Sequence, residues 1–437
     1  MGSGTQTMTT TGHDETQQAV GIVGPAPSPP SVLERLAALN NGTEIWWDSS
    51  PLVFESWRAR MLAAAPEEGR AQLAEQLLRL WDPAHPEATL FRGVTTNPPL
   101  SLAAIRDDPA RWLAWIRSYR ATHSAATVEG TYWSLYKEIV RLGAEALLPL
   151  HEATGYRFGH LSGQVDPRSA FDSDTMLRQA SELAALAPNL MVKVPGTSEG
   201  LPVLRELTRR GISTNCTLAY TLPQFVAVAE EVQAGLIEAR RAGADLTRWR
   251  SVVTDMSTRW ENAAEFAAQA AKEAVELSAE DRRWAGIAIF KRAQRLFRYR
   301  AYPSKMLICS VRMGPGPDTT DRCWHLEYTA GADAVFTLPP AFLTDFILRS
   351  KRLRLASRIW EDIPTDVMTR LQRVCYFSEA YEPDGIPVDA FDRIPALQNT
   401  TREFSKATND MVDFVRRELQ PPTPNGLQQG LPGGSTI

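Results

Sequence analysis

The sequence predicts an α/β fold, a single (β/α)₈ barrel with extra C-terminal helices, and three observations carry that prediction. Eight short apolar runs rich in Val, Ile and Thr alternate with longer amphipathic runs, the pattern of repeated βα units. Polar residues recur on these runs or at their C-terminal ends, on seven of the eight in succession, and a barrel keeps its site at that face. No GxGxxG opens a helix after the first run, which counts against an open dinucleotide-binding sheet.

In chain order the expected strands are Glu44–Asp48, Arg92–Asn97, Arg157–Val165, Leu190–Pro195, Ile212–Leu218, Ser251–Met256, Lys305–Arg312 and Asp333–Leu338. Most are bounded by Gly, Pro or Asn, residues that end strands through their turn chemistry. Helices are expected over Asp172–Leu186, Glu199–Arg210, Leu222–Ala242 and Glu261–Val275, with Thr197 or Ser198 capping the second. Two late helices, about Ala341–Leu355 and Thr401–Leu419, follow the last strand. Residues 1–30 are rich in Thr, Gln, Gly and Pro and read as a disordered lead; residues 421–437 read as a disordered tail. The folded unit is then 31–420. Of the tandem Trp46-Trp47, strand alternation sends one side chain into the barrel and the other towards the helices.

Composition narrows the function. The net charge is −4 and is spread along the chain, unlike a nucleic-acid binder with a basic face. Four cysteines without CxxC spacing and six histidines without HExxH spacing suggest no metal site and no disulfide framework, and no cofactor is expected. No apolar run is long enough to span a bilayer and no secretion signal opens the chain, so a cytoplasmic protein without membrane contact is expected, monomer or homodimer.

The segment Leu190–Pro195 carries Lys193 in its middle. Burial disfavours the ammonium and lowers its pKa, and a partly neutral amine is a nucleophile for carbonyl carbon. An edge-strand lysine reaching to water, or one held by a carboxylate, is the alternative. The other polar strand residues are Asp48, Asn97, Gln164, Asn215, Thr217, Thr254, Arg259 and Arg312.

Gly93-Val-Thr-Thr-Asn-Pro98, Ser162-Gly-Gln-Val-Asp-Pro-Arg168, Met191-Val-Lys-Val-Pro-Gly-Thr-Ser-Glu-Gly200 and Gly211-Ile-Ser-Thr-Asn-Cys-Thr-Leu218 resemble the successive motifs of the transaldolase family. The resemblance runs from about Glu44 to Pro340 and is greatest to the longer bacterial members. It implies a barrel and metal-free class I aldol chemistry in carbohydrate metabolism of the pentose phosphate type. Lys193 then matches the Schiff-base lysine and Asp48 the proton-transfer aspartate. Asn97 and Asn215 match side chains that position a bound dihydroxyacetone unit, and Thr217 matches the holder of the catalytic water. Arg259 and Arg312, with Ser310, match the phosphate side, and Thr254 lies beside them on the substrate-binding surface. The implied partner is a small sugar phosphate or related carbonyl compound.

Position 164 departs from the resemblance. The family's glutamate is Gln164 here, and a glutamine orients water without exchanging a proton. Fructose-6-phosphate aldolases share that glutamine but use a tyrosine where this chain has Met256. Asp255, Tyr220 and Asp166 are other candidate acids, Asp255 being directed by strand alternation away from the face of Thr254 and Met256. Two further functions stay open at this level. One is a repurposed enzyme of specialised metabolism using Lys193 on an unusual sugar or carbonyl compound. The other is a non-catalytic barrel scaffold binding a partner through its late helices or the basic run Arg349–Arg354.

Overall fold

A computed structural model describes Met1 and residues 29–315, 321–350 and 353–419. The expected lead and tail, apart from Met1, Pro29 and Pro30, lie outside the described residues, as do positions 351 and 352 of the basic run. Eight parallel strands close into one barrel in chain order: β1 (Glu44–Asp48), β2 (Phe91–Thr95), β3 (His160–Gln164), β4 (Leu190–Pro195), β5 (Thr214–Ala219), β6 (Ser251–Asp255), β7 (Lys305–Ile308) and β8 (Val335–Leu338). No helix among the described residues is long and apolar enough to cross a membrane.

Several strands are shorter than their apolar runs, for local reasons. β2 stops at Thr95 because Asn97 caps the next helix, Pro98–Asp107, its Oδ1 accepting from the Leu100 N–H at 2.9 Å while two prolines start the helical turn. β3 begins at His160, since Gly155, Tyr156 and Gly159 all take left-handed φ. β7 ends at Ile308, because Ser310 sits at φ 58° and turns the chain away from the barrel wall. The helices over Ser173–Ala184, Gly200–Arg209, Leu222–Arg241 and Ala264–Lys272 fall inside the expected spans. At the second of these the N-cap is Glu199, without a side-chain cap bond, rather than Thr197 or Ser198; the Thr197 hydroxyl still accepts from the Gly200 N–H at 3.0 Å, just ahead of the helix.

The two tryptophans of β1 divide as strand alternation requires. Trp47 packs outward, its ring centroid 5.2, 5.1 and 5.7 Å from those of Phe54, Trp57 and Phe91. Trp46 fills the barrel, and a Cβ on residue 93 of the next strand would stand 2.5 Å from its indole. Gly93 is therefore glycine because Trp46 occupies that space.

The late helices run over Pro340–Arg349 and Pro395–Leu419. The second buries Leu397, Thr400, Phe404, Ala407, Met411 and Val415, a stripe at helical spacing. That stripe packs on the helices Pro98–Asp107 and Val128–Glu145 and on β5, so the helix lies against the C-terminal end of the barrel.

Candidate functional site

The register of the barrel brings the inward residues of neighbouring strands level. Gln164 of β3 is paired with Lys193 of β4, and Lys193 with Asn215 of β5. Hydrogen bonds then run around the wall. Asn215 Nδ2 donates to Ser162 Oγ at 3.0 Å, and Thr254 Oγ1 donates to Asn215 Oδ1 at 2.7 Å. On the far side Thr95 Oγ1 donates to Asp48 Oδ1 at 2.7 Å.

A pocket of about 140 Å³ opens at this level. Asp48, Asn97, Lys193, Thr217, Thr254, Arg259 and Ser310 all line it, together with Thr95, Met256, Cys309, Glu403 and Phe404. Asn215 and Gln164 are buried just behind that lining. Arg312 stands apart. It is exposed and lines a neighbouring cavity of about 180 Å³ with Arg259, Asn262 and Asn399. The turn at Ser310 takes it there, and the buried Arg283 guanidinium, donating to the carbonyls of Arg312, Met313 and Gly314, holds it.

The Lys193 side chain is buried, and among the described residues its Nζ donates only to the Thr96 carbonyl, at 3.3 Å. Burial pulls its pKa below the ordinary lysine value, an effect that the Asp48 charge partly opposes. Among the described residues the two form no direct ion pair. Asp48 is shifted in the complementary direction: burial raises its carboxyl pKa against the lowering influence of Lys193 and Thr95. The two shifts run in opposite directions, an amine held below its ordinary value beside a carboxyl held above its own, and burial is the larger cause of both.

Gln164 has both amide ends buried and neither hydrogen-bonded within the described residues. Leaving such groups unpaired costs about 1–3 kcal/mol each, so this amide is an expensive feature of the barrel interior. The strand end carrying it is held by Tyr136, whose hydroxyl donates to the Gln164 carbonyl at 2.7 Å and accepts from its N–H at 3.0 Å. Cys309 is a neutral thiol, pushed up to about 12 by burial. Asp255 points out of the barrel: Ser257 Oγ donates to it at 2.7 Å, and burial raises its carboxyl to about 8. Tyr220 is buried, and Asp166 is bound to Arg168 at 2.7 Å.

Sequence reasoning passed over Tyr136, Cys309, Glu403 and Phe404. Glu403 Oε2 lies 2.9 Å from Arg259 Nη1, a contact across 144 residues (403 − 259) with no local signal.

The family described as Transaldolase/Fructose-6-phosphate aldolase matches residues 83–382, about two thirds of the chain. The chain belongs to this family. Among curated proteins it is similar to Transaldolase 1 of Streptomyces avermitilis, 37% identical over 171 residues, covering 38% of this chain and 44% of that one. It is similar as well to the transaldolase of Thiobacillus denitrificans, 35% identical over 216 residues, covering 48% and 56% respectively. The transaldolase of Thermobifida fusca is 35% identical over 169 residues, 38% of this chain and 45% of its own. The match thus spans about half the length of these relatives. Asp48 and Glu403 both lie outside the family-matched segment.

Proposed function

We propose that the protein is a transferase of the transaldolase type, moving a three-carbon dihydroxyacetone unit between sugar phosphates through a Schiff base on Lys193. The observation that carries this reading is a buried lysine that has no carboxylate ion pair among the described residues, its amine kept below the usual lysine pKa, on a pocket wall shared with Asp48. Lys305, a structural lysine at the other end of the barrel, is held differently, paired with Glu44 at 2.9 Å.

In this mechanism the neutral Lys193 amine attacks the ketose carbonyl carbon, and the carbinolamine loses water to give an iminium ion. The iminium withdraws electrons from the bond after the third carbon. Asp48 takes the proton from the hydroxyl beyond that bond, the bond breaks, and an aldehyde leaves. The three-carbon enamine stays on Lys193 until an acceptor aldehyde arrives, whereupon the bond re-forms and Asp48 returns the proton. Gln164 and Thr217 orient the water lost and regained, and Gln164, unable to exchange a proton, leaves that transfer to the water or to Asp48. Asn97 spends its oxygen on a helix cap, so its amide N–H groups are what it offers the substrate. Asn215 is locked by Ser162 and Thr254, and Arg259, with Ser310, faces the phosphate end.

The test is to incubate the protein with fructose 6-phosphate, and separately with dihydroxyacetone, add borohydride and map the adduct by peptide mass spectrometry. A three- or six-carbon adduct on Lys193, absent from Lys193→Ala, is the expected result. No adduct with either compound, from a protein that is folded, sinks the reading.

A further inference from the structure

The pocket contains one acidic side chain that the chemistry above does not use. Glu403, on the C-terminal helix Pro395–Leu419, lines the same pocket as Lys193 and sits 2.9 Å from the Arg259 guanidinium. Its place is fixed by its own helix. The next residue, Phe404, is buried and also lines the pocket; Thr400 and Ala407, one turn either side, are buried against the barrel end. Glu403 therefore cannot leave the neighbourhood of Arg259 unless the helix moves. Only its side-chain torsions are free.

A carboxylate on a guanidinium fork occupies the position that a phosphate oxygen takes. Arg312 offers little compensation. It is exposed and faces the adjoining cavity, held there through its own carbonyl by Arg283. With Arg259 neutralised and Arg312 outside the pocket, an incoming phosphate meets a cation already paired and a carboxylate of its own sign. The Glu403 side chain is 52% exposed and that of Arg259 31%, so the ion pair itself is weak and readily parted. The repulsion persists after the pair parts, because Glu403 stays beside the pocket.

We infer that Glu403 is a specificity-determining residue: its carboxylate competes with phosphate for Arg259 and holds down the preference of this site for phosphorylated over unphosphorylated substrates. This rests on the reading of the pocket as a Schiff-base aldol site, which supplies the two substrate classes being compared. The residue touches the phosphate end and not the reacting carbons, so it acts on substrate choice.

The experiment measures binding of inorganic phosphate by titration calorimetry to the wild type, Glu403→Gln and the double variant Arg259→Ala/Glu403→Gln, with folding checked by circular dichroism. Glu403→Gln is expected to bind phosphate about tenfold more tightly, the effect of removing one like charge at a partly exposed site. The double variant is expected to lose that gain. In parallel, the KM for fructose 6-phosphate should fall relative to that for an unphosphorylated ketose. Phosphate affinity unchanged or weakened in Glu403→Gln, or a gain that survives loss of Arg259, overturns the inference. Borohydride trapping of Lys193 with dihydroxyacetone runs beside it and separates the two ideas. An adduct with no gain in phosphate affinity removes the role of Glu403 alone. A gain in phosphate affinity with no adduct removes the Schiff-base reading and leaves Glu403 as the competitor at an anion site.

Discussion

The two ends of the barrel treat buried charge in opposite ways. At the N-terminal end Glu44 is buried, and its partners surround it: Arg250 at 2.5 Å, Lys305 at 2.9 Å, and the Trp46 indole N–H donating at 3.0 Å. Burial raises the Glu44 pKa, but Arg250 and Lys305 outweigh it, and the carboxyl stays below its ordinary value. At the C-terminal end Lys193 has one carbonyl contact, Asp48 one threonine, and the Gln164 amide none within the described residues. Buried charges that are fully paired hold a structure; those left half-paired are free to exchange protons and form bonds. Lys291 shows that burial alone does not separate the cases. Its pKa is pulled down to about 8, yet its Nζ donates to the Arg358 and Glu361 carbonyls, both at 2.7 Å, and ties two segments together far from the pocket.

The comparison breaks most sharply at Lys193. Lys193→Ala is expected to lower turnover of any ketose donor by at least about 10⁴-fold while the protein stays folded, since removing a covalent nucleophile disables the whole route. Steady-state kinetics beside circular dichroism read both halves. Asp48→Asn is expected to cost about 10²–10⁴ in the cleavage step while the borohydride adduct on Lys193 still forms. Loss of the adduct together with cleavage would instead make Asp48 a residue that only shapes Lys193.

Two weaker effects sharpen the structural side. Asp255 carries a carboxyl raised to about 8 by burial, with the Ser257 hydroxyl donating to it. Because its folded pKa lies above the unfolded value, the folded state keeps the proton from about pH 4 to about 8, and stability falls as pH rises through that window. Asp255→Asn should therefore gain stability over the wild type at roughly 1.4 kcal/mol per pH unit across it and no further above, as followed by urea melts. Parallel melts of the two proteins at all pH values would contradict the burial of that carboxyl. Glu44→Gln leaves Arg250 and Lys305 without their shared carboxylate. It should cost about 2–3 kcal/mol, between the values for exposed and buried pairs, with kcat almost unchanged.

Much of this architecture was readable in the chain. Short apolar runs rich in Val, Ile and Thr marked all eight strands, and Lys193 stood out because a charge in an apolar strand has no cheap explanation. The strand ends were harder, because a single left-handed residue such as Ser310 shortens β7 by four residues (308 against 312) and swings Arg312 into another cavity. The β2 motif read correctly as a strand, yet the reason for Gly93 lies in the preceding strand, in the indole of Trp46. The Arg259–Glu403 contact was out of reach, because the helix that brings Glu403 to the pocket is chosen by apolar packing on its other positions.

The central claim is that the half-paired surroundings of Lys193 keep its amine reactive, and the direct test is the pH dependence of its trapping. The rate of the dihydroxyacetone–borohydride adduct on Lys193 is measured by mass spectrometry under a fixed short pulse of reductant, from mildly acidic to strongly alkaline pH. The account predicts a rise with a midpoint below the ordinary lysine value. It also predicts that Asp48→Asn moves that midpoint lower still, because the Asp48 charge is what supports the ammonium. A midpoint at or above the ordinary lysine value, or no response to Asp48→Asn, would contradict it.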